Sequence, residues 1–399
     1  MRVLMVSKAC VVGAYQRKLE EIGRHDDVDL TVVVPPAWQE AGRTITLERQ
    51  HTQGYRLVVE PMVLNGRFHL HFYPGLGRRI REVEPDIIHI DEEPYNLATL
   101  QAMWLGQQAG ARTLFFTWQN IYRRYPPPFA WVERYVLRHA DAAIAGNQEA
   151  VDVIHAKGYA GPIEVIPQFG VDPELFRPAA PFRISDFEFR NDISQSAIRN
   201  PKSEIRNGTF TIGYVGRLVR AKGVDLLLEA VAGLQGEWQL RILGAGPLQD
   251  SLQQQASRLG LRSRVAFEPA RPSCQVPVYL NQLHVLVLPS QTQDNWKEQF
   301  GRVLIEAMAC QVPVIGSTCG EIPNVIGDAG LVFPEGDIEA LRNHLRRLMH
   351  DPNLHCRLGQ DGRARVLQHF TQAHIARRTV ALYRRMNFEF RISNFESWD

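Results

Sequence analysis

The sequence has no surplus of one charge, no closely spaced cysteine pair and no long apolar run. Lys plus Arg total 45 against 43 Asp plus Glu, a formal net charge of +2, so no whole-chain field points to nucleic acid. Any anionic partner has to be met locally. The five cysteines (Cys10, Cys274, Cys310, Cys319, Cys356) are odd in number and none lies in a C-x-x-C spacing. This argues against a disulfide framework or a zinc ribbon and favours a reducing compartment. No run approaches the ~20 apolar residues of a membrane span, and the short apolar stretch in MRVLMVSKACVVGAY reads as a first buried strand rather than a signal segment. The expectation is a cytoplasmic protein with at most peripheral contact with the inner face of a membrane. Neither half has a complete G-x-G-x-x-G after a strand with an acidic residue about 20 positions on, which argues against a dinucleotide-dependent oxidoreductase. Lysine is scarce, with only six in the chain.

What is present is an ordinary globular mixture, 45% hydrophobic and 22% charged over 399 residues, enough for two or three domains with real cores. Short Val/Ile/Leu runs, each followed by a helical pattern, recur at 3–6, 30–34, 87–90, 114–116 and 142–145. Near-continuous apolar strands alternating with helices signal a parallel sheet buried on both faces. The series lapses after Val165-Ile166-Pro167 and starts afresh at Phe210 with TIGYVG, WQLRILG, RVAFEP, HVLVLPS, VPVIGS and AGLVF. Two doubly wound α/β domains in tandem follow.

Between them lies an oddity. FRISDFEFR at 182–190 is echoed by FEFRISNFE near the carboxy terminus, and Ile-Arg-Asn occurs twice in IRNPKSEIRN. With suitable codons, the reverse complement of DNA encoding IRNPKSEIR reads FRISDFGFR in another frame. Residues 182–207 and 388–399 are therefore read as translated inverted-repeat insertions without a role in chemistry, and poor ordering is expected of both.

The most informative stretch is PSQTQDNWKEQFGRVLIEAMAC. A strand ends at Leu288, a polar loop follows, and a helical pattern opens at Phe300 and Gly301. The amides of Phe300, Gly301, Arg302 and Val303 stand at that helix start, where the dipole favours an anion such as phosphate. Glu298 precedes the helix and Glu306 lies six residues after Phe300, about 9 Å along the axis. The two carboxylates straddle the phosphate position and suit paired hydroxyls, a sugar on one side and a ribose on the other. In TIGYVGRLVRAKGVD, Gly216 closes a strand, and Arg217 and Lys222 supply two cations able to neutralise a pyrophosphate leaving group. In RILGAGP, Gly244 opens a Gly-x-Gly turn that either lets backbone approach a ligand or only tightens a strand-to-helix connection.

The order of strand-GRL-x-x-x-KG, LGxGP, PS followed by Glu, seven residues, Glu and AMA, then PVI and GxAG, resembles the donor domain of the family 4 retaining glycosyltransferases of the GT-B fold (glycosyl transferases group 1). IPQFGVDPELF resembles the same family's interdomain segment. The resemblance implies two Rossmann-like domains facing a cleft: residues 1–171 with a crossing helix at about 371–386, a linker at 172–208, a donor domain at 209–370 and a disordered tail at 387–399. It implies that Arg217 and Lys222 bind the donor diphosphate, Glu298 the transferred sugar and Glu306 the ribose. The amino-terminal half would then receive the acceptor, with Gly13 near donor phosphate and acceptor, and with His89, Asp91, Gln119 and Asn120 as acceptor-side candidates. For His89 a satisfied core histidine is an equal reading.

The tyrosine- and arginine-rich segment 122–139 reads as a basic aromatic surface for a lipid-linked acceptor or an anionic lipid, or as a solvated helix face. Asp27-Val28-Asp29 reads as a surface turn rather than a metal motif. The expectation is a metal-independent, cofactor-free transferase moving a sugar from a UDP-, GDP- or ADP-sugar to a sugar, glycan or lipid-linked hydroxyl. A nucleotide-sugar epimerase and a non-catalytic nucleotide-sugar binder are the alternatives.

Overall fold

The computed structural model describes residues 1–40, 43–179 and 209–396. The segment read as an insertion, 182–207, lies outside the described residues, as do the last three residues of the tail. The chain forms two compact units, Met1–Gly170 with Gln372–Asp399, and Val171–Thr371.

In the first unit, the strands in chain order are β1 Arg2–Val6, β2 Asp29–Val34, β3 Ala37–Glu40, β4 Arg43–Thr46, β5 Arg56–Val59, β6 Ile87–Ile90, β7 Arg112–Thr117, β8 Ala142–Ala145 and β9 Ile163–Val165. Seven of them form a parallel sheet in the order β5-β2-β1-β6-β7-β8-β9, while β3 and β4 pair antiparallel as a separate hairpin. Alternate residues of β1 enter different cores, as the pleat requires. Val3 and Met5 join one hydrophobic cluster, and Leu4 and Val6 the other.

The Val3 and Met5 face cannot be covered by the helix Arg17–Gly23 alone, which lends only Leu19 and Ile22. The carboxy-terminal helix Gln372–Glu396 completes it with Ile375, Ala376, Val380, Leu382, Tyr383 and Met386, an apolar stripe at helical spacing. That stripe ends at Met386, where the sequence reading ends the helix, and Phe388 is already 66% exposed. The helix nevertheless continues to Glu396, correcting the expectation of a disordered tail from 387. NFEFRISNFE contains neither proline nor glycine, so nothing breaks a helix already nucleated by packing.

In the second unit, β10 Phe210–Val215, β11 Trp238–Leu243, β12 Val265–Glu268, β13 Val285–Leu288, β14 Val314–Ser317 and β15 Leu331–Phe333 form a parallel sheet in the order β12-β11-β10-β13-β14-β15. Residues 172–179, expected to be linker, are packed into this unit. The Ala179 amide donates to Asn281 Oδ1 at 2.8 Å, and Asn281 Nδ2 donates to the Arg177 carbonyl at 2.9 Å. Both sheets reverse strand order at one point, between β1 and β6 and between β10 and β13. In open α/β sheets, ligands bind beyond the carboxyl ends of the strands at such a switch point.

Arg378 and Arg385 of the last helix pair with Glu164, and two further contacts tie the helix to its unit. Buried His89 on β6 places Nδ1 2.6 Å from Tyr383 Oη, whereas the half-exposed Arg384 meets Asp27 at 2.7 Å. Tyr383→Phe should therefore cost about 1–3 kcal/mol by leaving a buried ring nitrogen unpaired, and Arg384→Ala less than about 1 kcal/mol. Urea unfolding followed by circular dichroism compares the two, and the reverse ranking would contradict this account.

Candidate functional site

At the second unit's switch point, two loops are held together by backbone. Gly223 adopts φ +62° at the start of the helix Val224–Ala232, and a Cβ there would stand 2.0 Å from the Pro289 carbonyl oxygen. Only glycine meets both demands. The Gln291 amide also donates to the Ala221 carbonyl at 2.8 Å. This close approach brings Lys222, on the loop after β10, against Glu298, on the loop after β13, as an ion pair. Ser290 Oγ donates to Glu298 Oε2 at 2.9 Å, and the Lys222 ammonium lies 4.8 Å from the centre of the Trp296 ring. Arg217 sits nearby in sequence but differs in state. Its carbonyl accepts from Tyr214 Oη at 2.8 Å, and its exposed guanidinium pairs with no carboxylate among the described residues.

Beyond Glu298, Gly301 (φ +78°) opens the helix Arg302–Ala309, which has no side-chain cap. Its first-turn amides, the Val303 amide among them, present the positive end of the helix. The Phe300 side chain is buried, its ring 5.8 Å from that of Phe370. Arg302 does more than lend an amide. Its Nε lies 3.0 Å from Glu306 Oε1, one helical turn on. Burial pushes the Glu306 carboxyl above its ordinary range, and Arg302 partly offsets this. The sequence reading placed Glu306 on a ribose without foreseeing this partner.

Gly244 resolves to the second of its two readings. A Cβ at Gly244 would fall 1.8 Å from the Gly216 carbonyl oxygen, and one at Gly246 2.3 Å from that of Leu218. The room that Gly-x-Gly leaves is filled by the chain carrying Arg217. Gly216 and Gly244 thus shape the Arg217 loop from either side.

In the first unit, two candidates are corrected. The Gly13 amide, expected near phosphate, already donates to Glu48 Oε2 at 2.7 Å, and a Cβ there would meet Gln50 at 2.4 Å. The 48–50 segment occupies its space. His89 is a core histidine, buried beside Tyr383, and burial holds its imidazole well below the ordinary range and therefore neutral. Asp91, buried at the end of β6, accepts from Ser7 Oγ at 2.7 Å across the switch point, and burial raises its carboxyl. Gln119 Oε1 accepts from Lys157 Nζ at 3.1 Å, and Asn120 Nδ2 donates to Glu149 Oε2 at 3.2 Å. No hydrogen bond among the described residues joins either amide to Asp91.

The next two carboxylates, Glu92 and Glu93, are shifted in opposite directions. Burial pushes Glu92 up, but the Lys8 ammonium and His71 overcome it and hold the carboxyl at about 2. Glu93 feels Lys8 as well but forms no ion pair among the described residues. Burial pushes it up to about 7, although it accepts from Thr117 Oγ1 at 2.7 Å and from the Trp118 amide at 2.8 Å. The signal that finds this cluster is the rarity of lysine, which marks Lys8 as it marks Lys222. Among the described residues, no group of three His, Cys, Asp or Glu side chains is placed to hold a metal ion, and Asp27 pairs with Arg384.

Because the folded carboxyl of Glu93 titrates near 7 and an unfolded one near 4.5, the folded state retains a proton that the unfolded state loses between those values. Stability from this group is complete below about pH 4.5 and is lost as pH rises toward 7. Glu93→Gln removes that dependence, so its stability relative to wild type should rise by about 3 kcal/mol over this window. Urea titrations at a series of pH values measure the difference. A pH-independent difference would contradict the buried, proton-holding carboxyl.

Residues 12–168 match the glycosyl transferase 4-like domain, and residues 196–365 match glycosyl transferases group 1. EpsD of Bacillus subtilis (strain 168), which carries a glycosyltransferase name, is 26% identical over 326 residues, covering 78% of this chain and 79% of that protein. D-inositol 3-phosphate glycosyltransferase of Streptomyces bingchenggensis (strain BCW-1) is 30% identical over 274 residues, covering 65% of this chain but only 56% of that protein. The crystal structure of Anabaena Alr3699/HepE in complex with UDP superposes with a TM-score of 0.70 at 19% identity, covering 96% of this chain and 99% of that one. That likeness shows the fold, GT-B, with two Rossmann-like parallel-sheet domains in tandem. With both halves matched in order along one chain, the protein belongs to the glycosyl transferases group 1 family.

Proposed function

We propose that the chain transfers a sugar from a nucleoside-diphosphate sugar to a hydroxyl acceptor, with retention of anomeric configuration and without a metal ion, in the assembly of a polysaccharide, lipopolysaccharide or glycolipid. The observation that carries this reading is the Lys222–Glu298 pair at the β10/β13 switch point, beside exposed Arg217 and the uncapped start of the helix Arg302–Ala309. Two cations and a helix amino terminus suit the two negative charges that a diphosphate leaving group develops. Glu298 then accepts from the sugar hydroxyls and Glu306 from the ribose.

In this mechanism Lys222 exchanges Glu298 for phosphate when the donor arrives. The acceptor hydroxyl attacks the anomeric carbon from the face the diphosphate leaves, and a leaving phosphate oxygen takes its proton, so no protein base is needed. The acceptor is assigned to the first unit, with Asp91, Gln119 and Asn120 as candidates and with Gly13 and His89 withdrawn. The Anabaena neighbour is crystallised with UDP and with UDP-glucose, which makes UDP the first base to test.

Lys222→Ala and Glu298→Ala should each lower kcat at least about 100-fold, with near-ultraviolet circular dichroism unchanged. Near-normal turnover of either folded variant would overturn the assignment. An assay with donor alone separates transfer from epimerisation, since only an epimerase turns over without acceptor. In thermal-shift measurements, the correct nucleoside diphosphate at about 100 times its Kd should stabilise the protein by about 2.7 kcal/mol, and Arg217→Ala should shrink the shift. If UDP, GDP and ADP all leave Tm unmoved, the donor site is wrongly placed.

A further inference from the structure

The first unit carries an exposed face that is both aromatic and cationic. The helices Leu97–Gln108 and Phe129–His139 lie side by side, joined by the bond from Tyr135 Oη to Gln107 Oε1 at 2.8 Å. Each follows a strand of the same parallel sheet, so the two run in one direction. About one turn before those partners stand Trp104 and Trp131, which therefore project at a similar level. They are 52% and 63% exposed. Over the starts of both helices lies the segment 63–72, where the His69 carbonyl accepts from the Leu97 amide at 3.0 Å and its ring lies 5.2 Å from that of Phe129. Val63, Leu64, Phe68 and Leu70 of this segment are exposed as well. Burial elsewhere would have hidden such residues, and together they form a patch rather than scattered singles.

The charge on this face has one sign. Arg134 and Arg138 continue the exposed stripe that begins at Trp131, three and seven residues on, and Arg123, Arg124 and Arg67 are exposed in the adjoining loops. Residues 63–72 contain no carboxylate, and residues 97–139 contain one, Glu133, which is buried and paired with Lys157 at 2.5 Å. The near-neutral total hides this imbalance.

We propose that this face docks the protein on an anionic lipid bilayer, with Trp104, Trp131 and Phe68 at headgroup level and the arginines on lipid phosphates. Tryptophan rings favour that depth, guanidinium groups pair with phosphate in a fork, and basic clusters are drawn to anionic leaflets. A second copy of this chain is a poor occupant, because five arginines would meet five. No helix among the described residues is long and apolar enough to cross the membrane, so the contact is peripheral. The inference is independent of the reaction proposed above, since lipid binding is read without any sugar donor.

The test is co-sedimentation of the full chain with phosphatidylcholine vesicles, with and without phosphatidylglycerol. Binding should be at least about tenfold stronger to the anionic vesicles and should weaken with added salt. Trp104→Ala with Trp131→Ala, and Arg134→Gln with Arg138→Gln, should each reduce it several-fold while Tm holds. Brominated lipid should quench tryptophan fluorescence in wild type, and less in the Trp104→Phe, Trp131→Phe protein. Absence of binding to anionic vesicles, or equal binding by the variants, overturns the proposal. So does a dimer, seen by light scattering, that the same substitutions dissociate.

Discussion

The approach of Gly223 to the Pro289 carbonyl is the constraint on which the candidate donor site depends. Without it, the loop after β10 would not reach the loop after β13, and Lys222 would have no claim on Glu298. A glycine with positive φ is tolerated there because the helix it precedes has its buried face set by Val224, Leu227, Leu228 and Val231. The scaffold is thus rigid where two strands part and places its polar groups just beyond. Gly244 acts in the same way, seating the Gly216–Arg217 turn from the opposite strand.

Within that frame Glu298 has a double character. As one end of the ion pair it serves as an internal anion, giving a lysine of low exposure its partner. A diphosphate arriving there competes with a carboxylate for one ammonium. The affinity of the site is therefore a difference between two ion pairs rather than the value of one.

Much of this was legible in the sequence. Strand runs buried on both faces stand out because nothing polar interrupts them, and the donor-side residues stand out because glycines, cations and carboxylates fall at helix starts and strand ends. The first unit's site was less legible. His89 sits on a strand whose other residues are all apolar, and only the packing of Tyr383, almost three hundred positions away, shows that it faces a core. Gly13 read as a phosphate-facing glycine because the sequence could not show that Glu48 reaches its amide first. The six lysines were a stronger signal than the sequence reading used. Lys8 pairs with Glu92, Lys18 donates to the Gln168 carbonyl at 2.9 Å, Lys157 pairs with Glu133 and Lys222 with Glu298. Four of the six lysines thus have partners within the fold.

The carboxy-terminal helix has a consequence for the order in which the protein can form. Its stripe from Ile375 to Met386 covers a sheet whose own strands end at Val165, so the first unit is closed by residues made after the second. A ribosome adding roughly 5–20 residues per second leaves that face uncovered for roughly 10–40 seconds while the second unit emerges. At the end of that interval the second unit, contiguous from Val171 to Thr371, has every residue it needs, and the first does not. The half of the protein synthesised first is thus the half that finishes folding second.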